Sequence, residues 1–196
     1  MPQPVIYYIR HGETEWNALG RFQGSQDIPL NDVGRRQAIA AGTILQQILG
    51  DDEPALPFVA SPLGRARQTM ELLRGTLDLA PHDYAVDDRL REIRYGRWEG
   101  STLAEMRASD PDVFGARERD VWGVPPPGGE SYAEVTARMR DWYRSLSGDT
   151  VAVAHGGTAR ALLVALGVMP PDVAADLRID QGVVYVLAEG AWARHG

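Results

Sequence analysis

Apolar and polar positions along this chain follow two rhythms. One consists of short apolar runs, at residues 5–9, 58–60, 84–86, 150–154 and 183–188, rich in β-branched or aromatic side chains and bounded by Pro, Gly or Asp. These runs predict strands. The other consists of longer stretches in which apolar side chains recur every three or four positions. Behind Asn31, an expected N-cap, Ala38, Ala41, Leu45 and Ile48 fall on one helical face. Ala66, Met70, Leu73 and Leu77 form a second stripe, and Val135, Met139, Trp142 and Leu146 a third, the last opened by the capping box Ser131-x-x-Glu134. An apolar helix is expected over 159–166, and a closing hairpin over 183–188 and 191–194, turning at Glu189 and Gly190. Residues 50–57, acidic and with two prolines, read as a surface connection. The weakest pattern lies in 101–127, where 102–109 and 112–119 are expected helices before a proline-rich return. Strands alternating with helices predict one α/β domain of three layers.

Composition narrows the chemistry. At 196 residues the chain suffices for one well-buried α/β domain. With no cysteine, disulfides, thiolate catalysis and Cys-type zinc or iron–sulfur sites are excluded. No apolar run approaches the ~20 residues of a membrane span, and the N-terminus lacks signal-peptide regions. A soluble, cytoplasmic protein is expected. The net charge of −7 disfavours nucleic acid and anionic membrane as partners. All 20 basic residues are arginine. A Walker A loop and lysine Schiff-base chemistry are therefore impossible, and arginine is left to bind phosphate bidentately.

The stretch VIYYIRHGETEWN ends a predicted strand on Arg10 and His11. Ligands of open α/β sheets bind just outside the carboxyl ends of strands. A bare His-Gly is ordinarily a histidine in a turn, but the design recurs at HGGTAR, where a strand ends on His155 and a helix follows whose amides point at the tip. Arg65, in SPLGRARQT, is expected near a helix N-terminus, where a cation opposes the helix dipole by about 0.3–1 kcal/mol. An anion between them would explain it. Arg67 faces either the same opening or solvent. Glu92 stands among Arg89, Arg91, Arg94 and Arg97 in LREIRYGRWEG, a pattern that alone reads as a surface ion-pair network, while Tyr95, Gly96 and Gly100 suggest a loop folded over something. Gly24 permits close backbone approach to a ligand. Arg107, Arg117, Arg119 and Trp122 are candidates to touch a leaving group or ordinary exposed side chains. His82 and His195 are expected in solvent.

Without a gap, RHGETEWN resembles the signature of the histidine phosphatase superfamily, the phosphoglycerate mutase-like proteins, and SPLGRARQT, LREIRYGRWEG and HGGTAR resemble its later blocks. The resemblance implies a three-layer α/β/α fold with a mixed, mostly parallel sheet, a single domain over 1–196, and residues 94–130 as a short lid over the site. It assigns His11 as the residue transiently phosphorylated, Arg10, Arg65 and His155 as phosphate ligands, and Glu92 as general acid. Asn17, Gln23, Gly24, Arg67, Tyr95 and Gly156 become the expected substrate contacts. Glu92 must then carry a proton near neutral pH although arginines lower a carboxyl pKa and burial raises it; bound phosphate, with its like charge, would favour protonation. The implied function is hydrolysis of small phosphate monoesters through a phosphohistidine, with no metal or other cofactor and a small phosphorylated substrate as the only partner. YGRWEG and the short lid resemble phosphatase-type members such as alpha-ribazole phosphatase. Two alternatives stand beside this: a phosphoglycerate mutase-like phosphotransferase, and a phospho-ligand binding module without catalysis.

Overall fold

The computed structural model describes residues 3–50 and 56–196. Of the expected 50–57 connection, residues 51–55 lie outside the described residues. A six-stranded sheet runs in the order β3-β2-β4-β1-β5-β6. Its strands are β1 (Ile6–Arg10), β2 (Phe58–Ala60), β3 (Ala85–Val86), β4 (Thr150–Ala154), β5 (Val184–Ala188) and β6 (Ala191–His195). The first four are mutually parallel, and β5 and β6 run antiparallel at one edge. This is the expected mixed, mostly parallel sheet.

Because side chains alternate across a strand, β1 sends Ile6 and Tyr8 to one face and Ile9 to the other, while β4 divides Ala152 and Ala154 from Val151 and Val153. Both faces are covered. On one side lie α2 (Asp32–Leu49) and α3 (Gly64–Thr76), which bury the stripes led by Ala38 and Met70. On the other lie α6 (Tyr132–Arg144) and α7 (Gly156–Ala165), which bury Met139, Trp142 and Leu162. Val151–Ala154 are fully enclosed, as expected of a central parallel strand with helices on both faces.

Local signals set the helix ends. The Asn31 side chain accepts a bond from Gly34 N at 2.8 Å, and Ser131 and Glu134 form the reciprocal box; each cap contributes about 1 kcal/mol. Helix α7 starts at Gly156, three residues earlier than its apolar stretch predicted. The short helices α1 (Glu15–Ala18) and α8 (Pro171–Asp176) carry too little periodicity to be foreseen. No helix among the described residues is long and apolar enough to cross a membrane.

Residues 94–130 contain α4 (Leu103–Ser109) and α5 (Pro111–Arg119), both close to the expected bounds. The segment is closed at its neck: Arg97 N donates to Pro127 O and Glu130 N to Arg94 O. It is also stitched to the loop after β1 by Gly100 N to Phe22 O at 2.7 Å and Phe22 N to Ser101 O at 3.0 Å.

Candidate active site

Parallel pairing brings three strand tips level. Arg10 pairs with Ala154, His11 N donates to Ala154 O at 2.9 Å, and Ser61 N donates to Val153 O at 2.9 Å. Arg10 and His11, Ser61, and His155 therefore leave the sheet side by side, at its carboxyl edge. The loop after β1 is held there by a close crossing of glycines. A Cβ on Gly12 would overlap the Gly34 carbonyl, and one on Gly34 would overlap the Glu13 backbone, so the loop rests directly on the first turn of α2.

A cavity of about 230 Å³ opens over these tips. Of the expected site residues, Arg10, His11, Asn17, Gln23, Gly24, Arg65, Glu92, Tyr95 and Gly156 line it. His155 lies directly beneath, 0% exposed, its ring edge-on to His11 with centroids 5.1 Å apart. Arg67 does not line this cavity. It is exposed and donates to Tyr84 Oη at 3.3 Å, because two residues along a helix is a rotation of about 200°, and Arg65 already occupies the inner face. Nor do Arg107, Arg117, Arg119 and Trp122 line the cavity over His11: Arg107 pairs with Glu118, Arg117 binds Val124 O, and Trp122 stacks on Tyr132. His82 is exposed beside Glu71, and His195 is exposed on β6.

The geometry fixes proton positions. His11 Nδ1 lies 2.7 Å from Gly12 O. A carbonyl can only accept, so Nδ1 carries the proton and Nε2 keeps its lone pair. Burial, reinforced by Arg65 and Arg10, holds the His11 pKa well below the usual imidazole range, and His11 is neutral at pH 7. His155 is held down likewise, by burial, Arg65 and His11. Its Nε2 meets Ser61 Oγ at 2.7 Å, and its Nδ1 has no partner. Tyr8 Oη fixes the turn below, bonding His155 O, His155 N and Thr158 Oγ1.

Arg65 is a buried cation and Arg10 a half-buried one, and each has a spare donor. Arg65, 0% exposed, uses its terminal nitrogens on Gln26 O (2.6 Å) and Gly24 O (2.8 Å), while Arg10 uses one on Ile179 O (2.7 Å). Nε of each is buried without a partner. Buried donors are nearly always satisfied, and an unpaired buried charge costs several kcal/mol. Two arginine Nε donors left without a partner, with His155 Nδ1 also free, suit an anion. The expected anion at the start of α3 is in part supplied by the chain: Asp27 accepts from Gly64 N at 2.8 Å and Arg65 N at 3.4 Å, and stands 3.9 Å from the Arg65 guanidinium. It caps a helix whose N-cap, Leu63, has no side-chain bond.

Glu92 stands apart from the arginines around it in sequence. Arg89, Arg91, Arg94 and Arg97 pair instead with Asp87, Asp88, Glu130 and Asp110. The Glu92 carboxylate accepts from Ile93 N at 2.9 Å and Gly157 N at 3.3 Å. A side chain at 157 would overlap Glu92 Oε1 and Ile93 Cγ2, so a glycine there lets the acid approach the start of α7. Asn17 Oδ1 accepts from Thr14 and Gln181, which turns its amide nitrogen to the cavity. Gly24 has φ +53° and would meet Glu99, not a ligand, with any side chain. Its carbonyl binds Arg65.

Sequence reading missed Ser61, Gln181, Thr69 and Arg160. Thr69 Oγ1 links Gly12 N to Arg65 O; Gln181 Nε2 holds His11 O at 3.1 Å. Arg160 lines the cavity, and its position four residues after Gly156, one helical turn along the same face, was the available signal.

Residues 6–192 match the family described as Histidine phosphatase superfamily (branch 1). The chain is 39% identical over 180 residues to glucosyl-3-phosphoglycerate phosphatase of Mycolicibacterium vanbaalenii, covering 85% of this chain and 76% of that protein. It is 33% identical over 190 residues to 2,3-bisphosphoglycerate-dependent phosphoglycerate mutase of Methylocella silvestris, with 93% and 90% covered. A mycobacterial glucosyl-3-phosphoglycerate phosphatase solved with VO3 superposes with a TM-score of 0.79 at 32% identity, over 97% of each chain.

Proposed function

Given that this chain belongs to the histidine phosphatase superfamily, branch 1, we propose that it is a phosphatase hydrolysing small phosphate monoesters through a phosphohistidine on His11. The observation that carries the reading is the pair of buried, unpartnered donors Arg10 Nε and Arg65 Nε, with His155 Nδ1 also unpartnered beside them, around a neutral histidine whose free nitrogen is Nε2. In this reading residues 94–130 are the lid.

The substrate phosphoryl oxygens occupy the free donors, joined by the Asn17 amide and the Gly156 N–H at the positive end of α7. Charge in phosphoryl transfer spreads over these equatorial oxygens, so fixed cations lower the barrier without reorganisation. The lone pair of His11 Nε2 forms a bond to phosphorus as the ester P–O bond breaks. The leaving oxygen takes its proton from Glu92 and departs as the alcohol. In the second half Glu92, now a carboxylate, takes a proton from water as the water oxygen bonds to phosphorus; the N–P bond breaks, and its electron pair returns to Nε2. The sum is ester plus water giving alcohol plus inorganic phosphate. The Nδ1–H to Gly12 O bond keeps the ring aligned and stabilises the charge that develops on it.

A phosphoglycerate mutase-like transfer is the second reading, favoured by the likeness to the Methylocella mutase. It requires a second phosphate to be held while the first is transferred. Arg94, Arg97 and Arg107 of the lid are committed to carboxylates and Arg117 to a carbonyl, which leaves Arg21 and Arg160 as the further arginines lining the cavity. That favours hydrolysis. The test is p-nitrophenyl phosphate turnover with EDTA present, beside His11→Ala. Phosphate release by the wild type, reduced about 10⁴-fold or more by the substitution, is expected; interconversion of phosphoglycerates without release means a mutase, and neither activity means a binding module.

A further inference from the structure

A second cavity, of about 290 Å³, adjoins the phosphate cavity and shares Phe22, Tyr95 and Arg160 with it. Its apolar walls are Trp98, Leu103, Met106, Phe114, Val121 and Tyr132. The rings of Phe22 and Tyr95 meet edge-on at 4.8 Å, and so form the partition between the two spaces. Tyr95 is 8% exposed, and its hydroxyl has no hydrogen-bond partner among the described residues. Arg160 uses Nε on Leu177 O (2.8 Å) and one terminal nitrogen on Tyr132 Oη (3.2 Å). Its other terminal nitrogen makes no hydrogen bond among the described residues. Spare donors thus stand at the partition, and beyond it the walls are mainly ring faces and aliphatic groups, with Arg117, Glu118 and Asp176 as the charged side chains among them.

Resting on the phosphatase reading, we propose that the alcohol part of the substrate occupies this second cavity and is an aromatic or similarly flat apolar group on a short linker, an arylalkyl phosphate in class. Size agrees: an apolar space of about 150 Å³ takes up benzene, so this one accommodates a single or fused ring system with its linker. Wall chemistry agrees as well. Arg117 lines the cavity but donates to Val124 O and lies over the Tyr132 ring at 5.8 Å. Glu118, which pairs with Arg107, and Asp176 also line it and repel a carboxylate, and a leaving group rich in hydroxyls would lose hydration over the larger, aromatic part of the wall. An apolar ring gains the burial. Tyr95 Oη and the free nitrogen of Arg160 then meet a single polar atom beside the ester oxygen.

The experiment compares kcat/KM for 2-phenylethyl phosphate, ethyl phosphate and 3-phosphoglycerate, alkyl esters of similar leaving-group basicity, with p-nitrophenyl phosphate as control. Burial of one ring predicts a preference of about ten- to hundredfold for the phenylethyl over the ethyl ester, with 3-phosphoglycerate no better than ethyl phosphate. Leu103 is 57% exposed at the rim and is the first residue of α4, where an acidic residue suits the helix. Leu103→Glu is therefore expected to fold, and to lower the phenylethyl-to-ethyl ratio about tenfold. Equal rates for the two esters, a preference for 3-phosphoglycerate, or a ratio untouched by Leu103→Glu each overturns the assignment and leaves the phosphatase intact. No turnover of any ester, p-nitrophenyl phosphate included, overturns the phosphatase reading and this inference with it.

Discussion

The floor formed by the tips of β1, β2 and β4 and the roof formed by residues 94–130 use arginine in opposite ways. On the floor, Arg65 is buried and Arg10 half-buried; both are bound to backbone carbonyls and left with buried, unpartnered Nε atoms. On the roof, Arg94, Arg97 and Arg107 have side chains 60–70% exposed and are paired with Glu130, Asp110 and Glu118. Exposed pairs of that kind contribute at most about 1 kcal/mol each and only shape the loop. Buried donors without partners cost stability in the empty protein and return it when an anion binds. The floor is thus strained toward one ligand charge, whereas the roof is satisfied in itself and presents aromatic faces. On the proposed reading, recognition of phosphate and choice of alcohol are divided between two pieces of structure with different physics.

The hardest blow to that division is Arg65→Met, which keeps bulk and removes the cation. It is expected to lower kcat/KM about 10³-fold, and inorganic phosphate, which should raise the thermal midpoint of the wild type, should no longer do so for the variant. A variant still stabilised by phosphate would show that the buried donors are not the anion site.

Glu92 stands where floor and roof meet, and Glu92→Gln sharpens the comparison. Protonation matters most for a poor leaving group, so an alkyl phosphate should slow about 10²-fold and p-nitrophenyl phosphate by far less. Equal loss for both would remove Glu92 from the acid role.

A smaller effect concerns pH. His11 and His155 have folded pKa values well below their unfolded value near 6.5, so below that pH the unfolded chain binds more protons than the folded one. Their contribution is complete above about pH 6.5 and is lost as pH falls below it, by up to about 1.4 kcal/mol per pH unit per histidine. Between pH 7.5 and 5.5, above most carboxylate titration, the thermal midpoint should fall, and fall less in His11→Asn. A roof-controlled stability would show no such histidine dependence.

Much of this was legible in the residues. The runs at 5–9, 58–60 and 150–154 foretold the central strands, because a strand buried on both faces has few polar choices, and Asn31 and Ser131 announced their helices because capping is local. Arg10, His11, Arg65 and His155, the side chains proposed to handle phosphate, stood at strand or helix ends, where the signal is a change of residue type across one position. Arg67 misled because residues 65–67 alone do not say which arginine faces inward. Arg89, Arg91, Arg94 and Arg97 gave Glu92 the look of a surface ion-pair network, and only the resemblance singled it out; the partners of Arg94 and Arg97, Glu130 and Asp110, come from further along the chain.

By itself, then, the sequence determined which residues are apolar on which period, where several helices begin, and that arginine is the only cationic side chain besides histidine available to bind a phosphate. Tertiary structure alone decided that Asp27 caps α3, that Ser61 meets His155 Nε2, and that Gly157 makes room for Glu92. It also decided that Phe22, Tyr95 and Arg160, from three distant segments, stand between two cavities. The physical reason is range. Periodicity and capping act within a turn or a strand, whereas burial, an unpaired donor and the shape of a cavity belong to atoms that only the folded chain brings together.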